Sequence, residues 1–305
     1  MQHLISIRNL DRQKIEQLIE LANLIKKEPA QFAEKLDKKI IASLFFEAST
    51  RTRLSFEVAS LRLGAKVIGF ADKTNTSYGG KGESLEDTIR IVGGYADLIV
   101  MRHPEMGSVE LAAQVVNRPL INAGDGANEH PTQTLLDLMT IKEIRGALDG
   151  LKIALWGDLK YGRTARSLAL GLANYENVTI YCVHHPGLGF VSKLRQELKR
   201  KNLKLELKPN IKQVLKKADI IYATRTQTER FKSEQVGTKK LNILTINKKM
   251  LENCNPALKI LHPLPRRQEL DPEIDKTKHA HYFEQARNGM YIRMALLVDI
   301  LEKSD

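Results

Sequence analysis

At 305 residues, with 42% hydrophobic and 28% charged side chains, the chain has room for two globular domains and is neither disordered nor fibrous in composition. The 48 Lys and Arg against 36 Asp and Glu leave a formal charge of +12. The cations are scattered over segments with helical apolar spacing and aromatics are only 6%, so the charge does not mark a nucleic-acid module. No apolar run approaches the ~20 residues that span a bilayer, and the first residues lack a signal-peptide core. With only two cysteines, Cys182 and Cys254, there is no disulfide framework, and a cytoplasmic location is expected.

The elements follow in chain order. Ile15, Leu18, Ile19, Ala22 and Ile25 mark the apolar stripe of a first helix. A strand over 40–46 runs into a helix over 52–63, closed by Gly64, and a strand over 66–70. The polar, glycine-rich stretch 72–83 reads as an exposed, mobile loop. Ser84-Leu85-Glu86-Asp87 opens a helix with capping chemistry. A strand over 98–101, a helix over 109–116, a strand over 119–122 and a long helix from near Pro131 follow. The pattern restarts with a strand over 152–156, Gly157 and a helix over 164–173. Further strands are expected over 178–183, 203–207, 220–223, 243–246 and 258–261, and a last helix over 286–301. The basic groups in 193–204 and 212–217 read as solvated helix faces. Short apolar strands alternating with helices predict an α/β protein of two doubly wound domains, each a parallel sheet flanked by helices. The break near 131–150 gives domains over 1–135 and 136–285.

The segment over 45–57 carries the strongest chemical signal. Between strand and helix stand Ser49, Thr50, Arg51, Thr52 and Arg53, three hydroxyls and two guanidiniums in succession. A helix N-terminus offers unpaired N–H groups and the positive end of the helix dipole, so this turn reads as an oxyanion site, most naturally for phosphate. In open parallel sheets ligands gather at the carboxyl ends of the strands. Those ends are followed here by Arg102 and His103, by Asp125 and then His130 and Gln133, by Asp158 and Arg163, by Arg225 and Gln227, and by His262 to Arg266. Arginines, hydroxyl-rich turns and a histidine on one edge describe a pocket for strongly anionic small molecules. His130 precedes Pro131, so it sits at or next to a helix cap, where the dipole opposes protonation and leaves a neutral imidazole able to donate to a carbonyl oxygen. Arg225 and Gln227, two apart in an extended chain, share a face and can hold one carboxylate.

Two other motifs are weaker. Gly157 to Thr164 has the spacing of a nucleotide-binding P-loop, but Arg163 replaces its lysine, and a fork for a carboxylate suits that arginine better. Cys182-Val183-His184-His185 lacks further clustered ligands, so no metal site and no cofactor are predicted.

These residues resemble the aspartate and ornithine carbamoyltransferases, and among them the aspartate carbamoyltransferase catalytic chains. The matching runs are 46–57, 75–83, 100–104, 122–137, 157–167, 222–230 and 262–266, whereas 184–215 and 231–257 carry little recognisable pattern. The resemblance implies transfer of a carbamoyl group from carbamoyl phosphate to the L-aspartate amine, a step of pyrimidine biosynthesis. It assigns the domain over 1–135 to carbamoyl phosphate, with the C-terminal helix over 286–305 returning to it, and the domain over 136–285 to aspartate. It puts Ser49, Thr50, Arg51, Thr52, Ser77, Lys81, Arg102, His130, Gln133 and the Leu264 backbone on carbamoyl phosphate. Lys81, Arg163, Arg225 and Gln227 fall on aspartate. Arg51, Thr52, Lys81, Arg102 and His130 take part in catalysis, and Glu47, Arg163 and Arg230 link the closing domains. The loop with Ser77 and Lys81 implies a homotrimer with shared active sites, and a regulatory chain or further assembly stays open. Ornithine carbamoyltransferases usually carry a cysteine where this chain has Pro263. A cationic substrate side chain beside Arg163 and Arg225 would meet a repulsion of about 4 kcal/mol at a near-surface dielectric. Aspartate is therefore expected over ornithine, and a nucleotide-dependent kinase or a nucleic-acid binder are the remaining alternatives.

Overall fold

The computed structural model describes residues 2–201, 203–207, 209–227 and 244–302. The chain divides into two compact units, Met1–Leu136 with Arg287–Asp305, and Asp137–Ala286. In the first unit, α1 (Arg12–Lys27) precedes β1 (Ile40–Phe45), α2 (Thr50–Arg62), β2 (Lys66–Phe70), α3 (Ser77–Lys81) and α4 (Leu85–Gly93). Then come β3 (Leu98–His103), α5 (Ser108–Val115), β4 (Leu120–Asp125) and the start of α6 (Pro131–Arg145). The second holds β5 (Lys152–Trp156), α7 (Arg163–Leu172), β6 (Thr179–Val183), α8 (Ser192–Arg200), β7 (Lys204–Glu206), α9 (Ile211–Lys217), β8 (Ile220–Ala223) and β9 (Lys259–Leu261). The last helix, α10 (Tyr282–Leu301), carries the chain back into the first unit.

Among the described residues, four strands form a sheet in the order β2-β1-β3-β4 and five form a second in the order β7-β6-β5-β8-β9, with every pairing parallel. The α/β architecture expected from alternating strands and helices is therefore present. The inner strands are buried runs with no inside-outside alternation, as sheets covered on both faces require. On one face of the first sheet Ala42, Leu44, Ile99 and Met101 pack with Ile89 and Val109 from the helices. In the second, Trp156, Tyr181, Val183 and Ile221 pack with Val214 of α9. Each large side chain so buried contributes about 1.5–3 kcal/mol.

Two expectations need correction. The stretch 72–83 is not loop throughout: Thr76 accepts the Gly79 N–H and Gly82 adopts φ +74°, so the five residues of α3 close a helical turn between a cap and a left-handed stop. The strand expected over 243–246 reduces to one isolated bridge between Ile246 and Leu270, and residue 243 lies outside the described residues.

Each sheet reverses its strand order once, at β1/β3 and at β5/β8. In such sheets a crevice opens at the reversal, because the connections on either side leave in opposite directions. Register sets Phe45 beside Arg102 and Trp156 beside Ala223, so the residues just beyond these ends meet. The second meeting leaves no space for a side chain at Gly157, which has φ +120° and whose Cβ would fall 2.1 Å from the Thr224 carbonyl oxygen. Gly157→Ala should cost about 2–4 kcal/mol of stability by urea unfolding. Gly150→Ala, also left-handed but facing open space, should cost about 1–2 kcal/mol. Equal losses would show that the contact with Thr224 is not the constraint.

Candidate active site

In the first unit the crevice lies between the ends of β1 and β3. Glu47, two residues beyond β1, pairs with Arg102 near the end of β3 at 2.8 Å. Ser49 occupies the N-cap position of α2, yet its side chain makes no capping hydrogen bond. Among the described residues, the Ser49 and Thr50 hydroxyls and the Arg51 guanidinium have no hydrogen bond or ion pair. Desolvation holds Arg51 below the ordinary arginine value. Arg53 differs: it is committed to Glu57 at 3.0 Å, one turn along α2. So the turn presents two hydroxyls, one uncommitted cation and the first N–H groups of a helix, the chemistry of an oxyanion site.

His130 is built into the same crevice from the other side. Its carbonyl accepts the Gln133 and Thr134 N–H groups, which makes it the cap of α6, and its Nε2 lies 3.5 Å from the buried Thr52 hydroxyl. Two buried carboxylates hold the turn before it. Asp125 accepts from the Asn122 and Asn128 amides and from the Gly107 and Glu129 backbone at 3.1–3.2 Å. Glu129 accepts from the Ser6 hydroxyl and the Ile7 N–H at 2.9 Å and pairs with Arg8. Ser77 and Lys81 stand exposed on α3, next to Tyr78, whose hydroxyl lies 3.2 Å from His103 Nε2.

In the second unit Asp158, fully buried, plays the organising part. Its Oδ1 accepts the Lys160 and Tyr161 N–H groups and its Oδ2 the Gln227 N–H at 3.1 Å. One carboxylate thus ties the turn before α7 to the segment after β8. Arg163 begins α7 and is buried. Arg225 donates to Gln227 Oε1 at 3.3 Å, so these two share a side, as their spacing predicts. The N–H groups of Lys160 and Tyr161 are taken by Asp158, which removes them from the cradle that a P-loop offers to phosphates. The third turn of this unit carries Leu264 at φ +55°. Its N–H donates to His262 Nδ1 at 2.8 Å, so the imidazole proton sits on Nε2 and donates to Glu269 at 2.9 Å. Gln285 accepts the His262 N–H and donates to Asp137, which also accepts from Tyr222.

The predicted residues therefore fall into two groups. Ser49, Thr50, Arg51, Thr52, Glu47, Arg102, His130 and Gln133 belong to the first unit with Ser77 and Lys81; Arg163, Arg225, Gln227 and Leu264 belong to the second. Arg230 lies outside the described residues. Sequence reasoning missed the supporting carboxylates Glu129 and Glu269, whose backbone and side-chain partners lie far along the chain or in an irregular turn and leave no periodic trace. Among the described residues no group of three or more His, Cys, Asp or Glu side chains is arranged to hold a metal ion, and no helix is long and apolar enough to cross a membrane.

Residues 2–143 match the family model of the aspartate/ornithine carbamoyltransferase carbamoyl-P binding domain, and residues 149–300 that of the Asp/Orn binding domain. The chain belongs to the aspartate/ornithine carbamoyltransferase family. It is 48% identical over 307 aligned residues to an aspartate carbamoyltransferase catalytic subunit of Aliivibrio fischeri, covering 99% of this chain and 97% of that protein. A solved catalytic subunit of M. jannaschii aspartate transcarbamoylase superimposes with a TM-score of 0.90 at 42% identity, over 99% of each chain. The Trypanosoma cruzi aspartate transcarbamoylase, solved with carbamoyl phosphate and aspartate, gives 0.91 at 36% identity, over 98% of this chain and 96% of that one.

The Leu264 turn has a measurable acid signature. Burial pushes the Glu269 carboxyl up, but the bonds from His262 and the Arg267 N–H outweigh it and hold the group below 4.5. A depressed carboxylate contributes stability above its unfolded pKa and loses it as pH falls through the folded one. The stability difference between the native protein and Glu269→Gln, read by urea unfolding, should therefore narrow from about pH 5 to about pH 3. A constant or widening difference would contradict the assignment.

Proposed function

We propose that the protein transfers the carbamoyl group of carbamoyl phosphate to the amine of L-aspartate, giving N-carbamoyl-L-aspartate and phosphate. The observation that carries this reading is the uncommitted set Ser49, Thr50 and Arg51 at the start of α2, just beyond the strand end that Glu47 ties to Arg102. These groups, with Thr52, take the phosphate of the donor. His130 and Arg102 face its carbonyl oxygen, Gln133 and the Leu264 backbone hold the carbamoyl end, and Ser77 and Lys81 complete the set. Arg163, Arg225 and Gln227 take the carboxylates of aspartate, with Lys81. The Trypanosoma relative binds the same two substrates, which supports the reading.

The chemistry follows from those roles. The aspartate amine attacks the carbamoyl carbon, and the carbonyl oxygen gains negative charge that His130, Arg102 and Thr52 stabilise. Each such donor contributes ~10²–10³ in rate. Collapse of the intermediate breaks the bond to phosphate, which leaves with its charge neutralised by Arg51 and Arg102. No covalent nucleophile is needed, because fixing two reactants in place supplies much of the acceleration. The amine proton passes to the departing phosphate. With purified protein, carbamoyl phosphate and either amino acid, carbamoyl-aspartate should form and citrulline should not; carbamoylation of ornithine would overturn the acceptor assignment.

The working unit in this reading is a cytoplasmic homotrimer with shared sites. On α2, Leu54, Val58 and Leu61 form a stripe of one helical face and stand exposed, Leu61 by 62%, and Ile68 is exposed on the edge strand β2. Such a stripe fits a second copy of the chain. Arg51→Ala and Lys81→Ala should each lose at least ~10²-fold in kcat, and their mixture after subunit exchange should recover measurable activity. A mixture as inactive as its parts, with exchange verified, argues against shared sites.

A further inference from the structure

We infer that Tyr78 is a positioning residue: its ring against Phe46 and its hydroxyl on His103 set the direction in which α3 presents Ser77 and Lys81. The inference rests on the role proposed above for those two side chains.

The arm over 72–83 is internally braced. The Thr74 N–H donates to Asp72 Oδ1 at 2.7 Å, the Thr76 hydroxyl donates to the Lys73 carbonyl at 2.7 Å, and the Glu83 N–H donates to the Ser77 carbonyl at 3.2 Å. Gly79 has its Cβ position 2.0 Å from the Lys73 carbonyl oxygen, so the coil is wound too tightly for a side chain there. All these bonds join residues of the arm to one another. They give it a shape but no direction.

Tyr78 supplies the direction. Its ring meets Phe46 edge-on, with centroids 4.9 Å apart and planes at 77°, and Phe46 in turn packs against Phe70 and His103 at 5.0 and 5.1 Å. Aromatic pairs in this geometry attract one another beyond the area they bury. Phe46 stands next to Glu47 and His103 next to Arg102, so the latch rests on the two strand ends that bound the first crevice. The polar half has a defined tautomer. His103 Nδ1 accepts the Glu105 N–H at 3.1 Å, which leaves the ring proton on Nε2 to donate to the Tyr78 oxygen at 3.2 Å.

The contact that fixes the His103 tautomer is acid-sensitive. A second proton on His103 would turn Nδ1 into a donor facing the Glu105 N–H. Burial opposes that proton most, Lys73 opposes it too, and Glu105 and Glu47 favour it; the balance lies below the ordinary histidine value. Burial, then Glu105 and Glu86, raise Tyr78, so its phenol keeps its proton. Protonation of His103 would therefore break the Glu105 contact while leaving the Nε2–H bond to Tyr78 in place.

The test compares Lys81→Ala, Tyr78→Phe, Tyr78→Leu and the Tyr78→Leu/Lys81→Ala double variant in the assembled protein. Tyr78→Phe keeps the ring and loses one hydrogen bond, so kcat should fall about 3–10-fold. Tyr78→Leu loses ring and bond, and kcat should fall about 10–100-fold with little change in the unfolding midpoint. Because Tyr78 acts through Ser77 and Lys81, the double variant should lose clearly less than the product of the two single losses. Near-normal activity of Lys81→Ala would overturn the role proposed for the arm. A crippled Lys81→Ala beside a near-normal Tyr78→Leu, or losses that multiply in the double variant, would overturn the role of Tyr78.

Discussion

Both sheets reverse their strand order once, and the residues with chemistry gather where they do. At β1/β3 and at β5/β8 the chain leaves neighbouring strands in opposite directions and opens a crevice at their carboxyl ends. An open crevice must still be braced, and in each unit a carboxylate does this. Glu47 reaches from the end of β1 to Arg102 near the end of β3, and Asp158 reaches from the end of β5 to the Gln227 backbone after β8. The need for Gly157 follows from the second brace, since the turns it joins run in backbone contact.

In each unit, turns rich in arginine and hydroxyl groups stand near buried acids, and the hydrogen bonds show what those acids do. Asp125, Glu129, Asp158 and Glu269 are spent on backbone N–H groups, and all but Asp158 also on neighbouring side chains. Each fixes the turn that carries a candidate site residue: His130 after Asp125 and Glu129, Gln227 through Asp158, Leu264 through His262 and Glu269. Cations divide in the same way. Arg53 is committed within its own helix, and the Arg51 guanidinium two residues earlier has no partner among the described residues. The net charge of +12 therefore says little about the site; the local allocation of partners says a great deal.

The parallel sheets were legible because buried apolar runs such as 152–156 and 220–223 alternate with helices of clear stripe. The strand ends were legible because their followers are chemically unusual: three hydroxyls and two arginines in succession, or Arg225 and Gln227 two apart. What stayed hidden depends on tertiary partners. The spacing of His262 and Glu269 in an irregular turn matches no periodic element. The glycines of 72–83 suggested mobility, whereas Gly79 is there because the Lys73 carbonyl leaves no space for a side chain. Arg51 and Arg53 were separable in principle, because Glu57 stands four residues after Arg53 on the predicted helix.

The central claim is that the first unit holds the donor's phosphate at the start of α2 and the second holds the acceptor's carboxylates at Arg163 and Arg225. A crystal structure of the protein with N-(phosphonacetyl)-L-aspartic acid, a ligand seen with the Trypanosoma relative, tests it most directly. The account predicts the phosphonate on Ser49, Thr50, Arg51 and Thr52, and the carboxylates on Arg163, Arg225 and Gln227. A phosphonate seated instead on the 157–164 turn, or carboxylates away from both arginines, would contradict it.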